Sequence, residues 1–264
     1  MLIAHEAPID CFEFVQERTD FDYALVHLFE KNSRYYSLFV EALQKGREVL
    51  LDNSIFELKE AFDSRKYVEW INRLKPSYFI VPDVLEDSEG TINNFKKFTK
   101  EYTDLPGLKI GAVQGKTYSD IVECYKFMSD NADYIAISFD FSYYLLTETG
   151  NKLERMCKGR QRLIERLVSD SIWNNDKPHH LLGCSLPIEF KQYSLPLYSP
   201  VSIRSLDTSN PVMHGLNHNR YIQQYGINFK VKGLLADIID IPVSEAHKDN
   251  IDYNIKMFRK INWM

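Results

Sequence analysis

The chain has 264 residues and a formal net charge of −5, from 32 Lys and Arg against 37 Asp and Glu. This length suits one large core, and the acidic balance excludes a generally basic nucleic-acid coat while leaving room for a local basic patch. No apolar run approaches the roughly 18 residues that span a bilayer.

Strand-like and helical patterns alternate from the first residues. Residues 2–5 form the first strand-like run and 23–29 the second. Between 34 and 45, Tyr35, Leu38, Phe39, Ala42 and Leu43 fall at helical spacing. A strand is expected at 49–52, then a helix at 64–74 with Tyr67, Val68, Ile71 and Leu74 on one face. Strands at 78–83, 109–114 and 134–139 follow, with helices at 91–102 and 119–128 between them. The interval 140–177 is longer than the others. Strands at 180–184 and 202–207 come next, then a loop holding His214, Gly215 and His218, a helix-like segment at 219–225 and a terminal helix at 249–261.

Most strand-to-strand intervals run roughly 20 to 30 residues, the length of a strand–helix repeat. Several strands are continuously apolar, as parallel strands buried on both faces are. The expected fold class is therefore α/β: a single (β/α)8 TIM-type barrel domain over 1–264. It carries an insertion between strands 6 and 7 (140–177) and a helical C-terminal extension (212–264). An open doubly wound sheet is ranked lower, because eight strands are found and no Gly-rich nucleotide fingerprint is. The four cysteines, Cys11, Cys124, Cys157 and Cys184, contain no CxxC pair, and Met1-Leu2-Ile3-Ala4-His5-Glu6 lacks the parts of a secretion signal. A reduced, cytoplasmic setting without structural zinc is expected.

In such a barrel, residues at the strand C-termini collect at the active face. Val49-Leu50-Leu51-Asp52-Asn53-Ser54-Ile55-Phe56 supplies Asp52 and an aromatic ring. Phe79-Ile80-Val81-Pro82-Asp83 supplies a second acid, and Val113-Gln114-Gly115 an amide. Leu181-Leu182-Gly183-Cys184 offers a glycine where backbone can approach a ligand, and Ile203-Arg204-Ser205-Leu206-Asp207 ends on a third acid. An Asp at a strand end also caps the following helix, so the grouping matters more than any one residue. Two carboxylates facing an anomeric carbon suit nucleoside chemistry. An Asp with a Gln can read a donor and acceptor edge, and an aromatic can stack on a base. A divalent-metal site on the three acids is the alternative. Within 140–177, Lys152, Arg155, Lys158, Arg160, Arg162 and Arg166 stand against Glu154 and Glu165. This is either a solvated helix face or a phosphate-contacting surface.

These motifs resemble the tRNA-guanine transglycosylase superfamily, in particular its compact, often phage-encoded members related to the enzymes that place 7-deazaguanines in DNA. The family's D-S-G-x-F signature resembles Asp52-Asn53-Ser54-Ile55-Phe56, and its acid-bearing strand Pro82-Asp83. Its V-Q-G is Val113-Gln114-Gly115. Its L-M-G-V-G strand resembles Leu181-Leu182-Gly183-Cys184-Ser185, with Pro187 after it, and its nucleophile strand Leu206-Asp207-Thr208-Ser209-Asn210-Pro211. The five occur in family order over residues 47–211. The resemblance implies Asp207 as nucleophile and Asp52 as general base for the incoming base. It implies Asp83 and Gln114, with Gly115 beside them, as readers of a guanine-like edge, Phe56 as the stacking ring, and Gly183 as a point of backbone approach. No cofactor is implied.

The chain departs from the family at Asn53 and Ser54, at Ile135-Ala136-Ile137-Ser138 where the tRNA enzymes have paired glycines, and in lacking their Cys/His zinc subdomain. The expected partners are accordingly DNA in preference to tRNA and a 7-deazaguanine base, with no membrane. Lys152, Arg155, Lys158, Arg160 and Arg162 are assigned to the nucleic-acid backbone, and a homodimer is compatible with the sequence. A nucleoside or nucleic-acid hydrolase, and a modified-base-binding protein without turnover, are the rival expectations.

Overall fold

A computed structural model describes residues 1–139, 141–146, 148–184, 186–187, 189, 193, 203–222, 229–231 and 233–263, with side chains to 260. Asp140, Ser185, Ser202 and residues 223–225, which figure in the sequence expectations, lie outside the described residues.

Eight strands are present: β1 (Leu2–Ala4), β2 (Asp22–Leu25), β3 (Val49–Asp52), β4 (Tyr78–Ile80), β5 (Leu108–Val113), β6 (Tyr134–Ile137), β7 (His179–Leu181) and β8 (Ile203–Asp207). They form one sheet in the order β1-β8-β7-β6-β5-β4-β3-β2. The ladders between β1 and β8 and from β2 through β6 are parallel. Strands β2 to β8 thus lie in chain order, with the last strand beside the first, as in the (β/α)8 TIM-type architecture. The intervening helices are α1 (Phe12–Gln16), α2 (Val26–Lys31), α3 (Ser33–Gln44), α4 (Ile55–Leu58), α5 (Ser64–Leu74), α6 (Ser88–Glu101), α7 (Tyr118–Asn131) and α8 (Lys152–Ser169). After β8 come α9 (Asn210–Leu216) and α10 (Glu245–Trp263).

The chain groups into two compact units, Phe21–Ser138 with Lys177–His180, and Met1–Asp20 with Phe139–Asp176 and Leu181–Met264. In the first of these, every residue of β2, β3 and β6 is buried, the carboxylates Asp22 and Asp52 included. Capping side chains start the helices. Asn32 accepts from the Tyr35 amide, Asp63 from Arg65 and Lys66, and Asp87 from Gly90, while Thr117 and Asp120 form a reciprocal capping box. Tyr67 of α5 donates its hydroxyl proton between Leu51 O (2.9 Å) and Ile80 O (3.0 Å), joining the ends of β3 and β4.

In the other unit β1 pairs with β8 so that Ala4 lies beside Asp207. α8 begins at an Asn151–Glu154 capping box. A Cβ at Gly159 would lie 2.3 Å from Tyr144 Cβ, so only glycine lets α8 seat on the 3-10 turn Ser142–Leu145. Ala7, Cys11, Val15, Val212, Leu216, Val243, Ile251 and Ile255 form a core between α1, α9 and α10.

Several boundaries differ from expectation. The strands expected at 78–83 and 134–139 end at Ile80 and Ile137, and residues 219–222 of the expected helix-like segment are not helical. The run 23–29 ends as strand at Leu25 and turns into α2, because a short buried apolar run has no period that separates strand from helix. The expected loop around His214 and Gly215 is α9, with Pro211 in its first turn. Gly215 is needed there because a Cβ would lie 2.7 Å from the Ile251 amide of α10. The seventh strand stops at Leu181, so Leu182, Gly183 and Cys184 lie beyond it. The terminal helix starts four residues early, at Glu245.

Candidate active site

In the unit holding β2 to β6, the strand ends bring Asp52, Asn53, Asp83 and Gln114 together. Asp52 closes β3, with one carboxylate oxygen accepting from the Tyr23 hydroxyl of β2 at 2.5 Å and the other from the Ser54 amide. That second bond belongs to a tight turn in which Ser54 has φ +62°. Its hydroxyl accepts from the His27 amide at 3.3 Å, which offsets part of the cost of left-handed backbone at a non-glycine residue. The position corresponds to the glycine of the resembled signature.

Asn53 is fully buried and points the opposite way from Asp52. Its Nδ2 donates to Asp83 Oδ1 (2.8 Å) and Val81 O (3.3 Å), and its Oδ1 accepts from the Ile55 amide (3.0 Å). Gln114, just past β5, donates from Nε2 to Asp83 Oδ2 at 2.6 Å, and its Oε1 accepts from the Glu86 amide at 2.9 Å. Asp83 is therefore a buried carboxylate gripped by two amides. Burial raises its pKa above the ordinary carboxylate range, and the hydrogen bonds from Asn53 and Gln114 pull it part of the way back. A carboxylate oxygen has two lone pairs and a glutamine Nε2 two N–H groups, so the Asp83–Gln114 bond does not by itself use up the hydrogen-bonding capacity of either group. Gly115 packs against the start of α7, where a Cβ would lie 2.7 Å from the Ile121 amide. Phe56, on α4, carries the Lys59 ammonium 4.3 Å from its ring centre. Tyr23 stacks on His180 with a 14° interplanar angle.

In the other unit, Asp207 ends β8 and is buried. Gly183 has φ +63° and donates its amide to both carboxylate oxygens of Asp207, at 3.1 and 3.2 Å. The Cys184 amide donates to Asp207 O at 3.0 Å. His5, one residue past β1, donates from Nδ1 to Thr208 O at 3.1 Å. Burial pushes its pKa down to about 4, so the ring is neutral at pH 7.

The basic residues of α8 divide. The expectation for Arg160 is corrected: its side chain is fully buried, pairing Nε and Nη2 with the Glu189 carboxylate at 2.6 and 3.0 Å, and it cannot lie on a phosphate backbone. Arg155 donates to Leu145 O and Lys158 to Thr149 O (3.2 Å), while Arg162 pairs with Glu148 at 2.6 Å and Arg166 with Asp170 at 3.7 Å. Lys152 and Lys158 are exposed. Sequence reasoning passed over Tyr23, Asn53, His5 and Glu189. Asn53 carried one available signal, its place beside Asp52 at a strand end. The others have no local signature.

No protein-family model matches the sequence, and a comparison with curated protein sequences finds no match. Among solved structures, the fold is similar to the crystal structure of an enolase protein from the environmental genome shotgun sequencing of the Sargasso Sea. The identity is 10% and the TM-score 0.45, over 78% of this chain and 54% of that one.

Proposed function

We propose that the chain is a base-exchange enzyme that replaces guanine in a polynucleotide, DNA in preference to tRNA, with a 7-deazaguanine. The observation that supports it most directly is the buried Asp83 carboxylate 2.6 Å from the Gln114 amide at neighbouring strand ends. A carboxylate accepts from guanine's ring N–H and amino group, and a glutamine amide donates to its carbonyl, so the pair complements one purine edge. Asp207 is a carboxylate held by a backbone N–H at the end of a strand, an arrangement that holds a carboxylate nucleophile in one orientation.

In this reading an Asp207 oxygen bonds to C1′ as the C1′–N9 bond breaks. The electron pair leaves on N9, and protonated Asp52 supplies the departing guanine with its proton. Ionised Asp52 then takes the N9 proton of the incoming base, whose nitrogen attacks C1′ and releases the Asp207 carboxylate. Protons and atoms balance over the two halves. A duplex substrate must have its nucleotide flipped out, at a cost of a few kcal/mol.

The test incubates purified protein with DNA or tRNA and isotope-labelled guanine or 7-deazaguanine, followed by mass spectrometry of the digested nucleosides. Label entering the polynucleotide supports the reading. Guanine released without uptake makes the chain a hydrolase. With neither uptake nor release, the transglycosylase assignment falls, and base affinity alone would leave a binding protein.

A further inference from the structure

The Arg160–Glu189 pair stands out as the one fully buried ion pair among the described residues. A buried ion pair is weak evidence for stability, since well-packed apolar side chains of similar size serve a fold as well or better. What the guanidinium touches is more informative. Its Nε and Nη2 face Glu189, Nη1 donates to Leu182 O at 2.7 Å, and Nη2 also donates to Cys184 Sγ at 3.0 Å. Its face covers the Phe139 ring at 5.0 Å. The fork thus grips the two residues on either side of Gly183, in a segment that has already left β7 and that the Cys184 N–H to Asp207 O bond ties to the end of β8.

Gly183 is the residue whose amide meets both Asp207 oxygens. Its left-handed φ turns that amide toward the carboxylate, and a side chain there would be strained whatever the space around it. A rigid clamp on residues 182 and 184 fixes the direction of the Gly183 N–H. Glu189 fixes the orientation of the fork by a two-point pairing and neutralises it, because an unpaired guanidinium would not remain in a site this dry. Lysine cannot substitute, since an ammonium lacks the planar fork that serves a carboxylate, a carbonyl and a sulfur together.

We propose that Arg160 is a positioning residue that, through Leu182 and Cys184, aims the Gly183 amide at the Asp207 carboxylate. Its catalytic consequence rests on the transglycosylase reading, but the positioning itself does not. The experiment compares the full-length protein with Arg160→Lys, and with the apolar double variant Arg160→Met/Glu189→Leu, which leaves no unpaired charge and keeps the question open to test if the lysine variant fails to fold. The readout is the Gly183 amide by NMR, with Asp207→Asn identifying the hydrogen-bonded resonance. The expected result is an upfield shift of that amide proton and at least a tenfold faster exchange with solvent, in a protein that still unfolds cooperatively. In an exchange assay kcat falls at least tenfold while KM for the free base is unchanged. A Gly183 amide unchanged in shift and exchange in the folded variants overturns the proposal, whatever the activity. If the amide loosens while the wild-type protein exchanges no base, the positioning stands and the transglycosylase reading is what fails.

Discussion

Replacing Asn53 with alanine tests the electrostatics around Asp83 without assuming any activity. The side chain is fully buried and makes three hydrogen bonds, to Asp83, Val81 and the Ile55 amide. The bond to the charged Asp83 is worth about 1.5–3 kcal/mol and the two neutral ones about 1 kcal/mol each. Asn53→Ala should therefore destabilise by roughly 4 kcal/mol at neutral pH. The sign of the pH dependence is more discriminating. Asp83 is raised by burial and lowered by its Asn53 and Gln114 bonds, so losing Asn53 raises it further. A raised folded-state pKa means that the folded protein binds the proton more tightly than the unfolded chain, and stability falls as pH rises from the unfolded toward the folded pKa. The penalty of the substitution is thus full at alkaline pH and shrinks on acidification, as Asp83 takes up a proton. Urea unfolding of both proteins from pH 4 to 8, with the denaturant slope checked for constancy, should show a gap wider at pH 8 by about the charge-assisted share, 1.5–3 kcal/mol. A gap that stays constant with pH refutes the account of Asp83 as a buried carboxylate held by this amide.

Asp207→Asn should abolish base exchange by several orders of magnitude while thermal unfolding is little changed, because an amide cannot form the glycosyl ester; near-normal exchange removes Asp207 as nucleophile. At Ser54, glycine should be tolerated better than alanine by about 1 kcal/mol in thermal unfolding, since neither can bond the His27 amide but alanine alone keeps the left-handed strain; the reverse order would mean the turn is not left-handed in solution. Affinity for the free base, measured by calorimetry, should fall as pH is lowered, starting above the ordinary carboxylate range as the raised Asp83 protonates; an affinity flat down to pH 4 removes Asp83 from base reading. Replacing Lys152, Lys158 and Arg162 with glutamine should flatten the salt dependence of DNA binding by up to about 0.9 logarithmic slope units for each phosphate no longer neutralised; an unchanged slope in fluorescence anisotropy makes α8 a solvated face only.

Fold class was legible along the chain because strand polarity and helix periodicity are local properties. Runs such as Val49-Leu50-Leu51 and Tyr134-Ile135-Ala136-Ile137 are apolar on both faces, as strands of a parallel sheet buried on both sides are. The same local pattern placed Asp52 and Asp207 at the last positions of their strands, β3 and β8. Side-chain partners were not legible, because they join residues far apart in the chain. Asn53 and Gln114 meet at Asp83 across about 30 residues on either side, and only the register of β3, β4 and β5 brings them together. Arg160 shows the limit most plainly. On a helix rich in Lys and Arg its charge reads as one more solvated group. Only the packed structure sets Glu189 against it, 29 positions along the chain, and turns a surface residue into a buried clamp.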